Sequence, residues 1–388
     1  MNVAIIGTGA RSTAYVQLCQ SGIRDNVFIK ALVDVDREKM RKYTKYFITD
    51  DRKPELYTDY NEVMEDPNID AVIICTPDFT HSEITGAAIK NNKHILLEKP
   101  LATTVEDCLA IYTKGLNYEK VIRLGFVLRY TQIYRKVKEI VCNGTLGQII
   151  SLEAKEMLGR LHAGSFFRRW HRFQNNNGGF LNAKCSHDID LLNWIIEAQP
   201  KYVSAFGSRT YFNTREEAKE RCGECNIKNS CKYVDNRDHG LLFSGEQDLC
   251  VFNAKKDIVD HEVLNIEYKN GITASFTVCM LSSDANRTMV IFGSEGTLYA
   301  DYSKSEIIVK TIYPENQVVY TFNKSNETGH GGGDRGIYEN YIDSIQMDKY
   351  LDRNDIKAGL MSSAVILAGE VSMRDKITID IEKLLNQR

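Results

Sequence analysis

Three sets of residues in this 388-residue chain have types and spacings that could do chemistry. Gly7-Thr8-Gly9-Ala10-Arg11-Ser12 follows the apolar run Val3 to Ile6 and opens a helical pattern. Such a turn cradles a pyrophosphate. The first glycine permits the tight bend, the second lets the backbone approach, and the helix N-terminus adds amide donors and a positive dipole. Ser12 takes the place of a third glycine and is small enough for close helix-strand packing. Asp34 ends the next apolar run, where a carboxylate accepts both ribose hydroxyls of an adenosine and repels a 2'-phosphate, so NAD is favoured over NADP. Arg37 nearby could neutralise such a phosphate and keeps NADP as the alternative. Lys99 lies just past the run His94 to Leu97, at what would be the carboxyl edge of a parallel sheet, where such folds bind ligands. Lys184 and His187 stand three apart in a helical pattern and share one face. Cys185, Ile189, Leu192 and Ile196 form the opposite stripe, an arrangement that would turn Lys184 and His187 toward a cleft.

Further segments suit ligands of other kinds. In Phe166-Phe167-Arg168-Arg169-Trp170-His171-Arg172, arginine can grip a carboxylate bidentately and tryptophan can stack on a sugar face, so the loop suits a polyol or sugar acid. A partly buried loop ion-paired to its own domain accounts for the same residues. Gly329 to Asp334 opens the penultimate helix with Asp334 as a natural N-cap. His330 could reach a substrate there, or the run could serve only as a flexible helix start. Cys222, Cys225 and Cys231, with Cys250 nineteen residues on, lie in a charged segment with little apolar content. Four thiols so placed suit a structural zinc, although the x5 gap is not a standard pairing, and free thiols or a disulfide remain alternatives.

Strands and helices must hold these groups in place. From Asn2 to Val127, β-branched runs at Val3 to Ile6, Phe28 to Val33, Ala71 to Cys75, His94 to Leu97 and Val121 to Phe126 alternate with helical patterns. This predicts an α/β domain with a doubly wound parallel sheet over residues 1–127. After Tyr130 come a helix from Gln132 to Cys142, a strand from Ile149 to Met157 and a helix from about Asn182 to Ile196. Strand patterns follow at Tyr202 to Tyr211, Glu262 to Tyr268, Thr273 to Met280, Thr288 to Phe292, Thr297 to Ala300 and Gln317 to Phe322. Strands without intervening helices predict an α+β domain with an open, mainly antiparallel sheet over residues 128–388, serving substrate binding and oligomerisation. Its tail from Asp334 reads as two helices, the C-terminal one packing back toward the first domain.

Composition narrows the classes. A net charge of -3 from 49 basic and 52 acidic residues gives no electrostatic reason for a nucleic-acid partner. No apolar run approaches the ~18 residues of a membrane span and no basic leader precedes Asn2, so a cytoplasmic protein is expected. Most of the ten cysteines sit singly in apolar patterns, as Cys75, Cys142 and Cys279 do, and read as reduced core residues.

The blocks AVIICTPDFTH at Ala71 to His81, ILLEKPL at Ile95 to Leu101 and GGFLNAKCSHDID at Gly178 to Asp190, with the opening GTGAR, resemble the glucose-fructose oxidoreductase, inositol dehydrogenase and MocA (Gfo/Idh/MocA) family. The resemblance covers nearly the whole chain. It implies a Rossmann domain holding NAD through Gly7, Gly9, Ala10, Arg11, Ser12, Asp34, Thr76, Pro77, His81, Glu98 and Lys99, and a tendency to homodimers or homotetramers. It also implies that Lys99 contacts the substrate hydroxyl and the nicotinamide ribose, and that His187 is the acid/base, with Asp188 beside it among the substrate groups. Many members carry an aspartate four residues before the histidine; this chain has Ala183. Lys184 could take over substrate binding, or Asp190 could polarise the imidazole. The expected function is hydride transfer between NAD(H) and a secondary alcohol of a sugar, cyclitol or related polyhydroxy compound. A glycosidase using NAD for transient oxidation and a non-catalytic nucleotide-binding regulator share the fold and are the alternatives.

Overall fold

A computed structural model describes residues 1–235, 246–323, 329–347 and 355–386. These residues form two compact units. One holds residues 1–130 with 329–347 and 355–360, and the other holds 131–235, 246–323 and 361–386.

In the first unit the apolar runs become parallel strands because each is buried on both faces and needs a helix on either side. The elements are β1 (Asn2–Ile6), α1 (Ser12–Gln20), β2 (Phe28–Val33), α2 (Arg37–Phe47), β3 (Glu55–Tyr57), α3 (Tyr60–Glu65), β4 (Ala71–Ile74), α4 (His81–Lys90), β5 (His94–Leu97), α5 (Val105–Gly115) and β6 (Ile122–Leu124). The sheet order is β3-β2-β1-β4-β5-β6, all parallel, with the direction of winding reversing between β1 and β4. That is the dinucleotide-binding order, and its ligand edge is the carboxyl end of β1, β4 and β5. The predicted strands are all present; β3 (Glu55-Leu56-Tyr57) was missed because it lies between Pro54 and Thr58 in a polar stretch with no apolar run to read.

The second unit begins with α6 (Gln132–Cys142), β7 (Ile149–Met157), α7 (Arg160–Phe166), α8 (Gln174–Asn177), α9 (Phe180–Ile196) and β8 (Pro200–Ser208). Then come β9 (His261–Tyr268), β10 (Thr273–Cys279), β11 (Asn286–Gly293), β12 (Gly296–Asp301), β13 (Glu306–Thr311) and β14 (Asn316–Thr321). The nine-stranded sheet runs β14-β13-β12-β11-β7-β10-β9-β8-β15, with β15 at Ile379–Asp380, and is antiparallel except where β10 meets β7. On β9, Glu262, Leu264, Ile266 and Tyr268 are buried while Val263, Asn265 and Glu267 face outward, the alternation of a sheet with one covered face.

The last helices correct the expected boundary. α10 (Gly333–Gln346) belongs to the first unit, where Ile337, Tyr338, Tyr341 and Ile342 join Tyr15 and Val16 in the core. α11 (Asp355–Asp375) is tied there by its first residue: Asp355 accepts from the buried Arg123 at 2.9 Å and from the Leu124 N–H at 3.2 Å. α12 (Ile381–Asn386) follows β15. Contrary to the expectation of no long apolar run, α11 is long and apolar enough for a membrane span, but 72% of that window is buried in the fold, as in a core helix. Cys142 also departs from its expected core position. It is exposed at the end of α6, off the stripe of Ile133, Tyr134, Val137 and Ile140 that the helix buries.

One feature of the second core sets a pH dependence. Glu262 on β9 is fully buried without a hydrogen bond to either carboxylate oxygen, and Glu370 on α11 faces it electrostatically. Burial pushes Glu262 well above the usual carboxylate range, with Glu370 adding to the shift; burial and Asp257 push Glu370 up to about 7, against Arg374. Unfolded glutamate titrates near about 4.3, so between that pH and about 7 the folded chain holds protons that the unfolded chain has released. Stability therefore falls as pH rises across this window. Glu262→Gln is expected to raise Tm by roughly 3 °C or more at pH 8 and to leave it unchanged near pH 4, as read by scanning calorimetry.

Candidate functional site

At the carboxyl edge of the first sheet, Gly7 has φ +93°, and a Cβ there would stand 2.7 Å from the carbonyl oxygen of Cys75. The turn from β1 into α1 thus requires glycine. No atom lies within 4 Å of where a Cβ of Gly9 would stand. That open backbone before a helix N-terminus fits a pyrophosphate. Ser12 is fully buried and its hydroxyl donates to the Gly9 carbonyl at 2.8 Å. Asp34 ends β2 and its Oδ2 accepts from the Thr8 N–H at 2.9 Å, the Thr8 hydroxyl at 2.6 Å and Lys39 Nζ at 2.8 Å. Burial would raise this carboxyl, but Lys39 and Thr8 hold it below the usual carboxylate range. Asp34 is therefore ionised, and the cation paired with it is Lys39.

Arg11 has a different setting from a phosphate ligand. Its Nε lies 2.6 Å from Glu98 Oε1 and its Nη2 lies 2.9 Å from Asp334 Oδ1. Tyr15 completes the group by donating its hydroxyl to Glu98 Oε1 at 2.6 Å. Asp334 does not cap α10 by its side chain. Gly332 is the N-cap, and the Asp334 carboxylate turns back to Arg11 and to His330 Nδ1 at 3.0 Å. His330 and Arg11 hold Asp334 down at about 2 against the upward effect of burial.

Lys99 follows β5, and its peptide with Pro100 is cis. The Lys99 N–H donates to Glu98 Oε2 at 3.3 Å. Asp78, in the turn between β4 and α4, is pushed up to about 8 by burial, with Lys99 opposing the shift. His81 was expected to touch cofactor, but it is fully buried, its ring nitrogens 2.7 and 3.2 Å from the carbonyl oxygens of Pro100 and Thr76. It joins the ends of β4 and β5 and so positions Thr76, Pro77 and Lys99.

In the second unit α9 is buried almost all round, because it lies against β7, β10, α6 and α8. The expectation that one face of it is open is therefore corrected. His187 is 4% exposed. Lys184 Nζ is 2.8 Å from Glu156 Oε1, and Arg287 Nε is 2.7 Å from Glu156 Oε2 and 2.8 Å from Asp188 Oδ1. Two cations and two carboxylates thus neutralise one another, committing Lys184 and Asp188 to the fold. Glu156 and Arg287 were missed in the sequence. The available signal was Glu156 itself, which shares the buried parity of β7 with Leu152 and Ala154.

The arginine loop and the cysteines form one structure. Arg168 is 1% exposed, its Nε donates to the Leu249 carbonyl at 2.8 Å and its Nη2 to the Tyr233 carbonyl. It is therefore turned inward, away from any ligand. Trp170 stacks on His171 with ring centroids 3.7 Å apart, and Arg169 precedes it at the start of the turn. Among the described residues no group of three or more His, Cys, Asp or Glu side chains is arranged to hold a metal, so Cys222, Cys225, Cys231 and Cys250 do not fit the expected zinc. All four are free thiols. The segment has an apolar core of its own, most of it from outside the cysteine run: Phe212 packs on Phe167, Tyr233 and Phe252, and Tyr233 on Phe252, with ring centroids 4.3 to 5.8 Å apart. Backbone bonds from Cys222 to Asp248 and from Cys250 to Glu220, both 2.7 Å, close it.

Comparison with known proteins agrees with both units. A family model described as "Oxidoreductase family, NAD-binding Rossmann fold" matches residues 1–126, and one described as "Oxidoreductase family, C-terminal alpha/beta domain" matches residues 138–381. YteT of Bacillus subtilis, which carries only the general name oxidoreductase, is 26% identical over 95% of this chain and 94% of its own length. A myo-inositol 2-dehydrogenase of Thermotoga maritima is 27% identical over 54% of this chain and 58% of its own. Among solved structures, a levoglucosan dehydrogenase in complex with NADH and levoglucosan superposes with TM-score 0.78 at 19% identity, covering 98% of this chain and 99% of that one, a likeness of fold.

Removing the Arg168 guanidinium separates a holding role from a ligand-binding one. Arg168→Ala leaves two carbonyls without their donor and is expected to cost roughly 2 to 4 kcal/mol of stability. It should also slow the reaction of Cys222 with a thiol reagent, since the Arg168 guanidinium favours the thiolate there, while NADH binding followed by fluorescence stays unchanged.

Proposed function

The chain belongs to the Gfo/Idh/MocA oxidoreductase family, and on that premise we propose that it is an NAD-dependent dehydrogenase of a secondary alcohol in a sugar, cyclitol or related polyhydroxy compound. The observation that carries the reading is the joint setting of the open Gly9 backbone, the ionised Asp34 and Lys99 on one strand edge. The names of inositol and levoglucosan dehydrogenases among its relatives support the substrate class.

Gly7, Gly9, Ser12 and Asp34 would hold the dinucleotide, which supplies a hydride acceptor or donor when bound. Lys99 would steady the negative charge that grows on the substrate oxygen, and His187 would serve substrate binding. Asp34 would accept the adenosine ribose hydroxyls and disfavour a 2'-phosphate.

Absorbance of NADH with a panel of sugars, sugar acids and cyclitols tests the activity. Lys99→Ala and His187→Ala are each expected to lower kcat/KM by roughly 10²-fold or more, and full turnover by both variants would refute these roles. Tightly retained cofactor with cleavage of a glycoside and no net NADH would instead identify the glycosidase reading. Asp34→Ser is expected to weaken NADH binding by about tenfold, a ~1.4 kcal/mol loss, and to weaken NADPH binding less.

A further inference from the structure

We propose that His330 is an acid/base residue of this reaction, oriented by Asp334, an inference that rests on the dehydrogenase reading above. The family's usual aspartate is replaced by Ala183, yet the chain contains an imidazole held by a carboxylate in the unit that carries the glycine turn.

Four observations converge on it. His330 Nδ1 lies 3.0 Å from Asp334 Oδ1, and a carboxylate at Nδ1 favours the tautomer whose basic, proton-exchanging nitrogen is Nε2. The His330 side chain is 38% exposed, whereas His187 is 4% exposed and His81 is fully buried. The loop is built around the carboxylate: a Cβ at Gly329 would stand 1.9 Å from Asp334 Oδ2. Finally, Gly329, His330, Gly331 and Gly332 all have positive φ, between +46° and +85°. A histidine there costs on the order of 1 kcal/mol that the surroundings must offset, a pattern that gathers at functional sites.

Asp334 also bonds Arg11, Arg11 bonds Glu98, and Glu98 accepts from the Lys99 N–H, so the dyad and Lys99 belong to one hydrogen-bonded chain. Among the described residues, the other charged and titratable groups about His330 include Tyr15, bonded to Arg11 and Glu98, and Arg129 and Tyr130 in the turn that packs on this loop. A second aspartate-paired histidine, His261, is set apart. It shares the outward parity of β9 with Val263 and Asn265, and Asp260 is already bonded by the backbone of Thr210, Tyr211 and Phe212.

In the oxidation direction the carbinol C–H bond yields its hydride to bound NAD, and the O–H bond yields its proton to His330 Nε2. The products are a carbonyl compound, NADH and an imidazolium resting against the Asp334 carboxylate. His187 then contributes to binding and His330 to proton transfer, so their variants should differ in kind.

The test compares His330→Ala, Asp334→Asn and His187→Ala in the full-length protein. His330→Ala is expected to lower kcat by about 10²- to 10³-fold, with the NADH dissociation constant from fluorescence within about twofold of the unaltered protein. Added imidazole should then restore at least about a tenth of the lost rate. In ¹⁵N-histidine NMR spectra, the resonance lost in His330→Ala should report an imidazole protonated at Nδ1, should shift in Asp334→Asn and should shift when a polyol substrate is added. His187→Ala should act mainly on KM. Three results overturn the proposal: kcat of His330→Ala within about twofold of the unaltered protein, loss of NADH affinity with kcat kept, or a lost kcat that imidazole leaves unrestored. Failure of the dehydrogenase reading looks different, because the unaltered protein then makes no NADH with any polyol, and the His330 assignment falls with it.

Discussion

The Arg11 guanidinium lies between Glu98 and Asp334, at 2.6 and 2.9 Å, and the ligand edge of the first unit is organised around that charge. A largely buried cation must be paired, and removing one partner of a buried pair leaves an uncompensated charge that typically costs several kcal/mol. Here the two partners come from opposite ends of the chain. Glu98 precedes Lys99 at the end of β5, Asp334 begins α10, and Arg11 itself stands on the turn that would carry a pyrophosphate. One electrostatic requirement therefore sets the glycine turn, the lysine and the loop of His330 in mutual register. Arg123 with Asp355 repeats the device beneath it, tying β6 to the start of α11.

The second unit meets its buried charges in two ways. Lys184, Glu156, Arg287 and Asp188 cancel one another, so α9 can be buried and still carry polar residues without paying the desolvation of a lone ion. Among the described residues no cation forms an ion pair with Glu262 or Glu370, and the two respond to burial by holding protons.

Much of this was legible from residue patterns. Five of the six strands of the first unit, the glycine turn, Asp34 and the place of Lys99 at a strand end could be read because apolar runs, glycine spacing and strand order are local signals. The nine-stranded sheet was legible except for β13, whose Glu306-Ile307-Ile308-Val309 run is short and flanked by charges, and β15, which has two residues. The cysteine segment was misread because its core residues, Phe167, Phe212 and Phe252, lie outside the run of cysteines, and a spacing rule sees only the run.

Residue order and type were enough for the family, the two-part architecture and the dinucleotide turn, since each rests on contacts among neighbours or on a strand sequence that admits one right-handed winding. Which charges face which was beyond them. Arg11 with Asp334, Lys184 with Glu156, Arg168 with the carbonyls of Leu249 and Tyr233, and the return of α10 to the first core all join residues dozens to hundreds apart. An arginine or a lysine has the same identity whether it grips a ligand or its own fold, and only the folded chain brings to it the carboxylate or carbonyl that decides between the two.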